Sequence, residues 1–286
     1  MIYGIRQILK YLAGTDIAGR SLAVRPDDTF LVSYPRSGNT WTRFLIANLL
    51  HPGEPVTFAN IEYLVPDTEA QSSRHLKRIP GPRFIKSHEY FDHRYPRVIY
   101  IVRDPRDVVL SYYDFQRKYQ QIADCYPLEP YVSDFVNGRL SSADWGTWAE
   151  NVASWIATRH NRKNFLLLRY EDMIADTPGE LLRIADFLEH KTSPRELDQV
   201  IERSSAERMR ELEERQSDLW VSTKNKRKDI PFIGTASAGD WRSKLPAASV
   251  LEIETAWGPL LRFLNYELAT NEGLRAAREV RELYSR

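Results

Sequence analysis

Residues 29–48, TFLVSYPRSGNTWTRFLIAN, constrain this chain more than any other stretch. Phe30, Leu31 and Val32 form a short apolar run that reads as a strand ending at Ser33-Tyr34. Pro35 has no backbone N–H to donate and stops it. Ser37 and Gly38 supply a tight turn, and from Thr40 onward Leu45, Ile46, Leu49 and Leu50 return at helical spacing. A strand, a Gly/Ser turn and a helix in succession aim backbone N–H groups and a helix N-terminus at one point, which suits a phosphate or sulfate. Arg36 adds a guanidinium able to hold such an anion with two hydrogen bonds. A Walker A loop is excluded, because GxxxxGK[ST] needs a first glycine and a lysine that are absent here.

The rest of the chain alternates strands with helices. Arg83 to Lys86 reads as a short strand leading into Ser87-His88-Glu89, and residues 97–103, RVIYIVR, give the strongest strand. An unbroken apolar run of that kind fits a strand buried on both faces of a parallel sheet. Asp104-Pro105 opens a helix whose apolar face is Val108, Val109, Tyr112 and Tyr113. Residues 51–82 read as loops around a short helix over 56–65, and 120–143 as irregular chain. A helix over 144–159 carries Trp145, Trp148, Val152, Trp155 and Ile156 at core spacing, and NFLLLR at 164–169 is a further buried strand. Helices are expected over 178–189, 194–213, 247–264 and 273–283, with a basic knot at 224–228 in the loop before Gly239-Asp240-Trp241. This order predicts an α/β fold with a central parallel β-sheet flanked by helices. No internal repeat or compositional linker divides it, so residues 1–286 read as a single domain.

Forty basic against thirty-nine acidic residues leave a formal charge of +1, which argues against nucleic acid as a partner and makes any anion affinity local. The lone Cys125 excludes an intramolecular disulfide and suits a reducing, cytoplasmic setting. No apolar run reaches transmembrane length, and no His/Cys cluster has metal-ligand spacing. The first fourteen residues place Ile2, Ile5, Ile8, Leu9 and Leu12 opposite Arg6 and Lys10 and are too polar for a signal peptide. Three placements fit that amphipathic helix: packing on its own domain, lining a substrate mouth, or peripheral contact with a membrane surface.

YPRSGNTW, residues 34–41, resembles the 5′-phosphosulfate loop YPKSGTTW of sulfotransferases that use 3′-phosphoadenosine 5′-phosphosulfate (PAPS), with Arg36 for the lysine and Asn39 for the first threonine. The resemblance extends over about residues 29–242. It implies a P-loop-kinase-like sulfotransferase fold, with PAPS as co-substrate and no metal. It also implies a small-molecule acceptor bearing a hydroxyl or an amine. No N-terminal anchor of the kind found in Golgi carbohydrate sulfotransferases is expected. KSH at 86–88 resembles the family's KTH element, which implies His88 as general base and Lys86, with Arg36, as stabilisers of the transferring group. RDPRDVVLS resembles the 3′-phosphate element, implying a clamp by Arg103 and Ser111. Arg36, Ser37, Gly38, Asn39 and Thr40 are expected around the 5′-phosphosulfate, and Trp41 and Tyr170, the latter in YEDM, at the adenine.

Plainer readings stand beside these. His88 and Trp41 could be packing residues. Arg103 could pair with Asp104 or Asp107, Arg106 reads as surface charge, and Glu171 and Asp172 serve a helix start as well as any acid site. Four departures from the family pattern bear on the site. Glu89 follows the histidine where an apolar residue or proline is common. Gly234-Thr235-Ala236 occupy the RKG positions before Gly239-Asp240-Trp241, leaving Lys226, Arg227 or Lys228 as replacements. Ala206 stands where a phenylalanine stacks on adenine, and the dimerisation signature KxxxTVxxxE is absent, so no oligomer is implied. The alternatives to a sulfotransferase are a kinase-like phosphotransferase and a nucleotide-binding module without turnover.

Overall fold

The structure is a computed structural model that describes residues 16–270. The amphipathic helix expected over the first fourteen residues and the helix over 273–283 lie outside them. In chain order the elements are β1 (Thr29–Ser33), α1 (Asn39–Leu50), α2 (Ile61–Leu64), α3 (Ser73–Arg78), β2 (Phe84–Ser87), β3 (Arg97–Val102), α4 (Pro105–Lys118), α5 (Leu128–Val136) and α6 (Trp148–Arg159). They continue with β4 (Phe165–Arg169), α7 (Tyr170–Ala175), α8 (Thr177–Phe187), α9 (Pro194–Arg203), α10 (Ala206–Gln216), α11 (Trp241–Lys244) and α12 (Ala247–Phe263).

The four strands form one parallel sheet in the order β2-β1-β3-β4. Alternate side chains of the strands feed two cores. Phe30, Val32, Val98 and Tyr100 pack on one face with Trp148, Trp155 and Trp257 from α6 and α12. Leu31, Ile99, Ile101 and Leu168 pack on the other with Phe44, Ile46, Leu181 and Val200 from α1, α8 and α9. Helices on both faces explain why RVIYIVR is apolar without alternation. The chain leaves β1 toward β2 on one side and returns to β3 on the other. The gap beyond the carboxyl ends of β1 and β3 is therefore the topological switch point, where open parallel sheets bind ligands.

Four expectations change. A helix, α5, crosses the segment expected to be irregular: Tyr131, Val132 and Phe135 bury one face of it, and Phe135 meets Tyr34 and Trp257 edge to face. The single helix expected over 194–213 is broken into α9 and α10 at Ser204-Ser205. The Ser204 hydroxyl accepts a hydrogen bond from Asn48 Nδ2 at 3.0 Å and Ser205 caps α10, as short hydroxyl side chains favour caps over helix interiors. The helix expected from 144 begins at Trp148, where Thr147 and Glu150 form a capping box. In the 51–82 stretch the expected helix shrinks to α2, and α3, capped by Ser72, is additional.

Candidate active site

The loop after β1 turns sharply. Arg36 has φ +67° and Gly38 φ +94°, the left-handed region that glycine enters at no steric cost. A Cβ on Gly38 would lie 2.8 Å from Tyr170 Cε2, so this loop and the start of α7 approach as closely as a bare backbone permits. Gly38 then caps α1, leaving the amides of its first turn turned toward the switch point.

Two guanidiniums flank that loop. Arg103, the residue after β3, lies over the Tyr170 ring at 4.4 Å and donates to the carbonyls of Arg36 (3.3 Å) and Ser237 (3.2 Å). Arg36 donates to Ser111 Oγ (3.1 Å) and to the Phe232 carbonyl (3.1 Å), between the rings of Phe115 and Phe232. Burial, and then the charge of Arg103, lower the Arg36 guanidinium to about 10. Among the described residues neither arginine has an ion pair. The expected alternative for Arg103 is thereby removed, because Asp104 pairs with Arg106 at 2.6 Å and Asp107 accepts the N–H groups of Gly239 and Trp241. Arg106 is not a surface charge: it is 1% exposed, pairs also with Glu254 at 2.6 Å, and stacks on Trp241. Glu171 accepts from Asp104 N–H and from the Tyr266 hydroxyl, so it ties structure together beside the site.

Three buried polar atoms around the loop have no partner among the described residues: Ser37 Oγ, Asn39 Oδ1 and Arg103 Nε. Buried polar groups are nearly always satisfied, so orphans at one place mark where a ligand's polar atoms fit. Trp41 meets Tyr170 edge to face, with centroids 6.0 Å apart, and both line the same cavity as Ala206. The roof over the arginines is the 224–239 loop. Lys118 Nζ holds the carbonyls of Arg227 and Ile230, and Glu213 holds the N–H groups of Phe232 and Ile233. Within the basic knot Arg227 pairs with Asp124 and Asp229, and Lys228 with Asp218. Of the three candidates to replace the RKG cations, Lys226 lines the cavity. It lies over the Tyr119 ring at 4.5 Å.

Across the cavity, whose volume is 1140 Å³, β2 brings Lys86 and His88. His88 Nδ1 lies 2.7 Å from the Ser33 carbonyl oxygen, which can only accept, so the proton sits on Nδ1 and Nε2 keeps its lone pair. Burial first, then Lys86, lower the ring to about 3, well below the ordinary histidine value near 6.5. Lys86 is not a free cation: Asp67 Oδ2 is 2.9 Å away and Glu69 Oε2 3.7 Å. Backbone pairing fixes this cluster. Lys86 N–H donates to the Pro66 carbonyl, and Thr68 N–H to the Lys86 carbonyl, so residues 66–68 run alongside β2. Asn151 on α6 completes the support, accepting from Tyr100 and donating to the carbonyls of His88 and Trp145.

Every residue expected at the site is accordingly placed in or beside one cavity: Arg36, Gly38, Asn39, Thr40, Trp41, Lys86, His88, Arg103, Ser111 and Tyr170 line it, and Ser37 is buried within the loop. Asp67, Glu69 and Asn151 are neighbours of Lys86 and His88 that sequence reasoning missed. Asp67 and Glu69 sit in a proline-punctuated loop with no strand signal, although their two-residue spacing does place both on one face of an extended segment.

The parallel sheet flanked by helices, with a sharp turn opening a helix at its switch point, defines the class as an α/β fold with its cavity at the carboxyl ends of the strands. The chain belongs to the sulfotransferase family: the sulfotransferase domain matches residues 26–262. The 3-beta-hydroxysteroid sulfotransferase of Cavia porcellus is 31% identical over 242 residues, 81% of this chain and 82% of that protein. Sulfotransferase 2A6 of Rattus norvegicus is 32% identical over 241 residues, 79% and 81%. Among solved structures, retinol dehydratase in complex with androsterone and the inactive cofactor PAP superposes with TM-score 0.70. It is 22% identical and covers 92% of this chain and 88% of that one. Mouse sulfotransferase SULT7A1 complexed with PAP gives 0.68 at 21% identity, covering 96% and 95%. Among the described residues no helix is long and apolar enough to cross a membrane.

Proposed function

We propose that this protein transfers a sulfuryl group from PAPS to the hydroxyl, or amine, of a small-molecule acceptor, in a cytoplasmic setting and without a metal. The observation that carries this reading is the pair of guanidiniums, Arg36 and Arg103, without carboxylate partners among the described residues, beside a sharp Gly/Ser loop and across the cavity from a histidine whose Nδ1 is engaged by the Ser33 carbonyl, leaving the Nε2 lone pair. The orphaned Ser37 Oγ and Arg103 Nε fit the polar rim of a phosphorylated nucleotide. Solved relatives of the same fold are recorded with PAP, the nucleotide that PAPS becomes when its sulfuryl group leaves.

In this scheme the backbone amides of residues 37–40 and the Arg36 guanidinium hold the 5′-phosphosulfate. Arg103 and Ser111 hold the 3′-phosphate, and Trp41 and Tyr170 flank the base. His88 Nε2 takes the acceptor proton as the new oxygen–sulfur bond forms and the sulfur–oxygen bond to the 5′-phosphate breaks; the departing phosphate oxygen keeps the bonding electrons. Imidazolium formation against a lowered pKa is favoured by Asp67, whose charge opposes the effect of Lys86 on the ring. Lys86 and Arg36 stabilise charge on the transferring group, leaving little covalent work for the protein, as in phosphoryl transfer.

Calorimetry with 3′-phosphoadenosine 5′-phosphate (PAP), AMP and ATP, without added metal, tests the donor half. Preference for the 3′,5′-diphosphate is expected, and preference for ATP or no binding overturns the reading. The altered clamp at Gly234-Ala236 and the open position at Ala206 favour a second reading, a nucleotide-binding module without turnover. Nucleotide binding without transfer from PAPS to any of a panel of phenols, alcohols and amines would select it.

A further inference from the structure

Between α10 and α11 the chain that roofs the site runs without helix or strand, and one buried ion pair holds it. Lys118, in the last turn of α4, and Glu213, in α10, are 3% and 8% exposed and lie 3.2 Å apart, Nζ to Oε1. The ammonium also meets the carbonyls of Arg227 at 2.7 Å and Ile230 at 2.6 Å, which occupies its three donors. The carboxylate spans two successive amides. Its Oε1 accepts from Phe232 N–H at 2.7 Å and its Oε2 from Ile233 N–H at 2.9 Å.

The peptide bond joining Phe232 to Ile233 carries this pair into the site. Its N–H donates to Glu213, while its carbonyl accepts from Arg36 Nη2 at 3.1 Å, and the Phe232 ring lies 4.8 Å from the same guanidinium. Hydrogen bonds on both ends of one peptide polarise it and strengthen each other. Arg36 needs such support, since a φ of +67° is costly for a residue with a Cβ and persists only where its surroundings fix it. Ser111 Oγ, its other side-chain partner, is assigned above to a ligand phosphate, so the Phe232 carbonyl is the support that no ligand claims. Neither Lys118 nor Glu213 lines the cavity, so neither acts by touching a nucleotide. Stability alone explains the pair poorly, because a buried ion pair gains little over an apolar pair of similar volume.

We infer that Lys118 and Glu213 are positioning residues, and that the pair aims the Arg36 guanidinium at the 5′-phosphosulfate through the Phe232–Ile233 peptide. The inference deepens the sulfotransferase reading and rests on it. Its effect is confined to the 5′ end of the nucleotide. Arg103 rests instead on the Tyr170 ring and the Ser237 carbonyl, and the Ser237 hydroxyl is tied to Asp240 at 2.9 Å.

The test measures, by calorimetry, the binding of PAP and of adenosine 3′-monophosphate, which lacks the 5′-phosphate. The proteins are the unmodified chain, Glu213→Gln, Arg36→Ala and the double variant. Glu213→Gln is expected to weaken PAP on the order of tenfold, as for one charge-assisted hydrogen bond, and the 3′-monophosphate by no more than about twofold. In the Arg36→Ala background the same substitution should change PAP affinity by less than about twofold, because the group it positions is gone. Equal weakening of both nucleotides overturns the inference, as does an unchanged PAP affinity in Glu213→Gln or a loss that persists in full without Arg36. Glu213→Asp keeps a charge beside Lys118 but draws the carboxylate back from the amides, and it carries the same comparisons where Glu213→Gln does not fold. If neither variant folds, the pair serves the fold alone and the inference fails. No binding of PAP to the unmodified protein would instead sink the sulfotransferase reading, and the inference with it.

Discussion

The two ends of the cavity are built in opposite ways. The end proposed for the donor comes from contiguous chain: residues 34–41 supply the turn, the helix N-terminus and Arg36, and one further strand end supplies Arg103. Its charge is positive, with two guanidiniums that no carboxylate neutralises among the described residues. The end proposed for the acceptor is assembled from residues far apart in sequence: Asp67 and Glu69, then His88, Tyr112, Trp145 and Asn151. It sets two carboxylates against one ammonium, which Asp67 already engages. The contrast teaches that binding a fixed anion needs only local backbone geometry and charge. Discriminating a variable second substrate instead draws on loops that the sheet happens to bring together.

If the two ends are separable in function, their variants should fail differently. The largest effect is expected from His88→Ala, with turnover falling on the order of 10²- to 10⁴-fold, as for loss of a general base, while the Kd for PAP stays within about twofold. Parallel loss of nucleotide affinity would show that His88 belongs to the donor end or holds the fold. Gly38→Ala combines a left-handed φ with overlap on the Tyr170 ring. It should cost about 2–4 kcal/mol of unfolding free energy, read by denaturant titration, and weaken PAP with it. A stability change under about 1 kcal/mol would mean that the loop relaxes freely.

Arg103→Ala should weaken PAP on the order of 100-fold but AMP only a few-fold, because a charge-assisted clamp acts on the 3′-phosphate alone. Equal losses for both nucleotides would move Arg103 from the clamp to the general field of the site. The smallest effect concerns pH. His88 has its folded pKa lowered to about 3 by burial, by Lys86 and, more weakly, by Arg43, against the raising influence of Asp67 and the Ser33 carbonyl. A lowered histidine pKa means that the unfolded chain binds the proton first. Stability from the neutral ring is full above about 6.5 and lost as pH falls toward 3. Between pH 7 and 5 the unmodified protein should lose about 2 kcal/mol more than His88→Gln. The difference between the two proteins is the proper readout, since Glu69 and Glu89, both raised to about 7, change stability in the opposite sense over the same range. No difference would mean that the His88 ring is solvated as in the unfolded chain.

What the residues foretold follows the same division. β1, β3 and β4 were legible because buried parallel strands must be continuously apolar, and the donor loop because proline, glycine and a following helix leave few other shapes. Arg103 was legible as a cation that a buried strand delivers to the switch point, but its freedom from Asp104 and Asp107 was not. That depended on Arg106 and Glu254, 148 residues apart, closing a buried network around Asp104, and on the 239–241 amides taking Asp107. Helix α5 was hidden because its signal is three buried residues in a proline-flanked segment, decisive only once Tyr34 and Trp257 are present to pack against. The break between α9 and α10 likewise needed Asn48 from α1 to claim Ser204.

By itself, then, the sequence determined the parallel α/β class and the strand–turn–helix loop, consequences of patterns that repeat every two or four residues or of turns a few residues long, while resemblance to the family motifs singled out the histidine and, with its place at a strand end, the arginine. Only the tertiary structure decided which charges are paired. It engaged Lys86 with Asp67, fixed the His88 tautomer on the Ser33 carbonyl, left Arg36 and Arg103 without carboxylates among the described residues and kept Glu69 at 3.7 Å from Lys86. The physical reason is range: backbone propensity and burial act within a few residues along the chain, whereas charge pairing in a low-dielectric cavity depends on distances that only the packed fold sets.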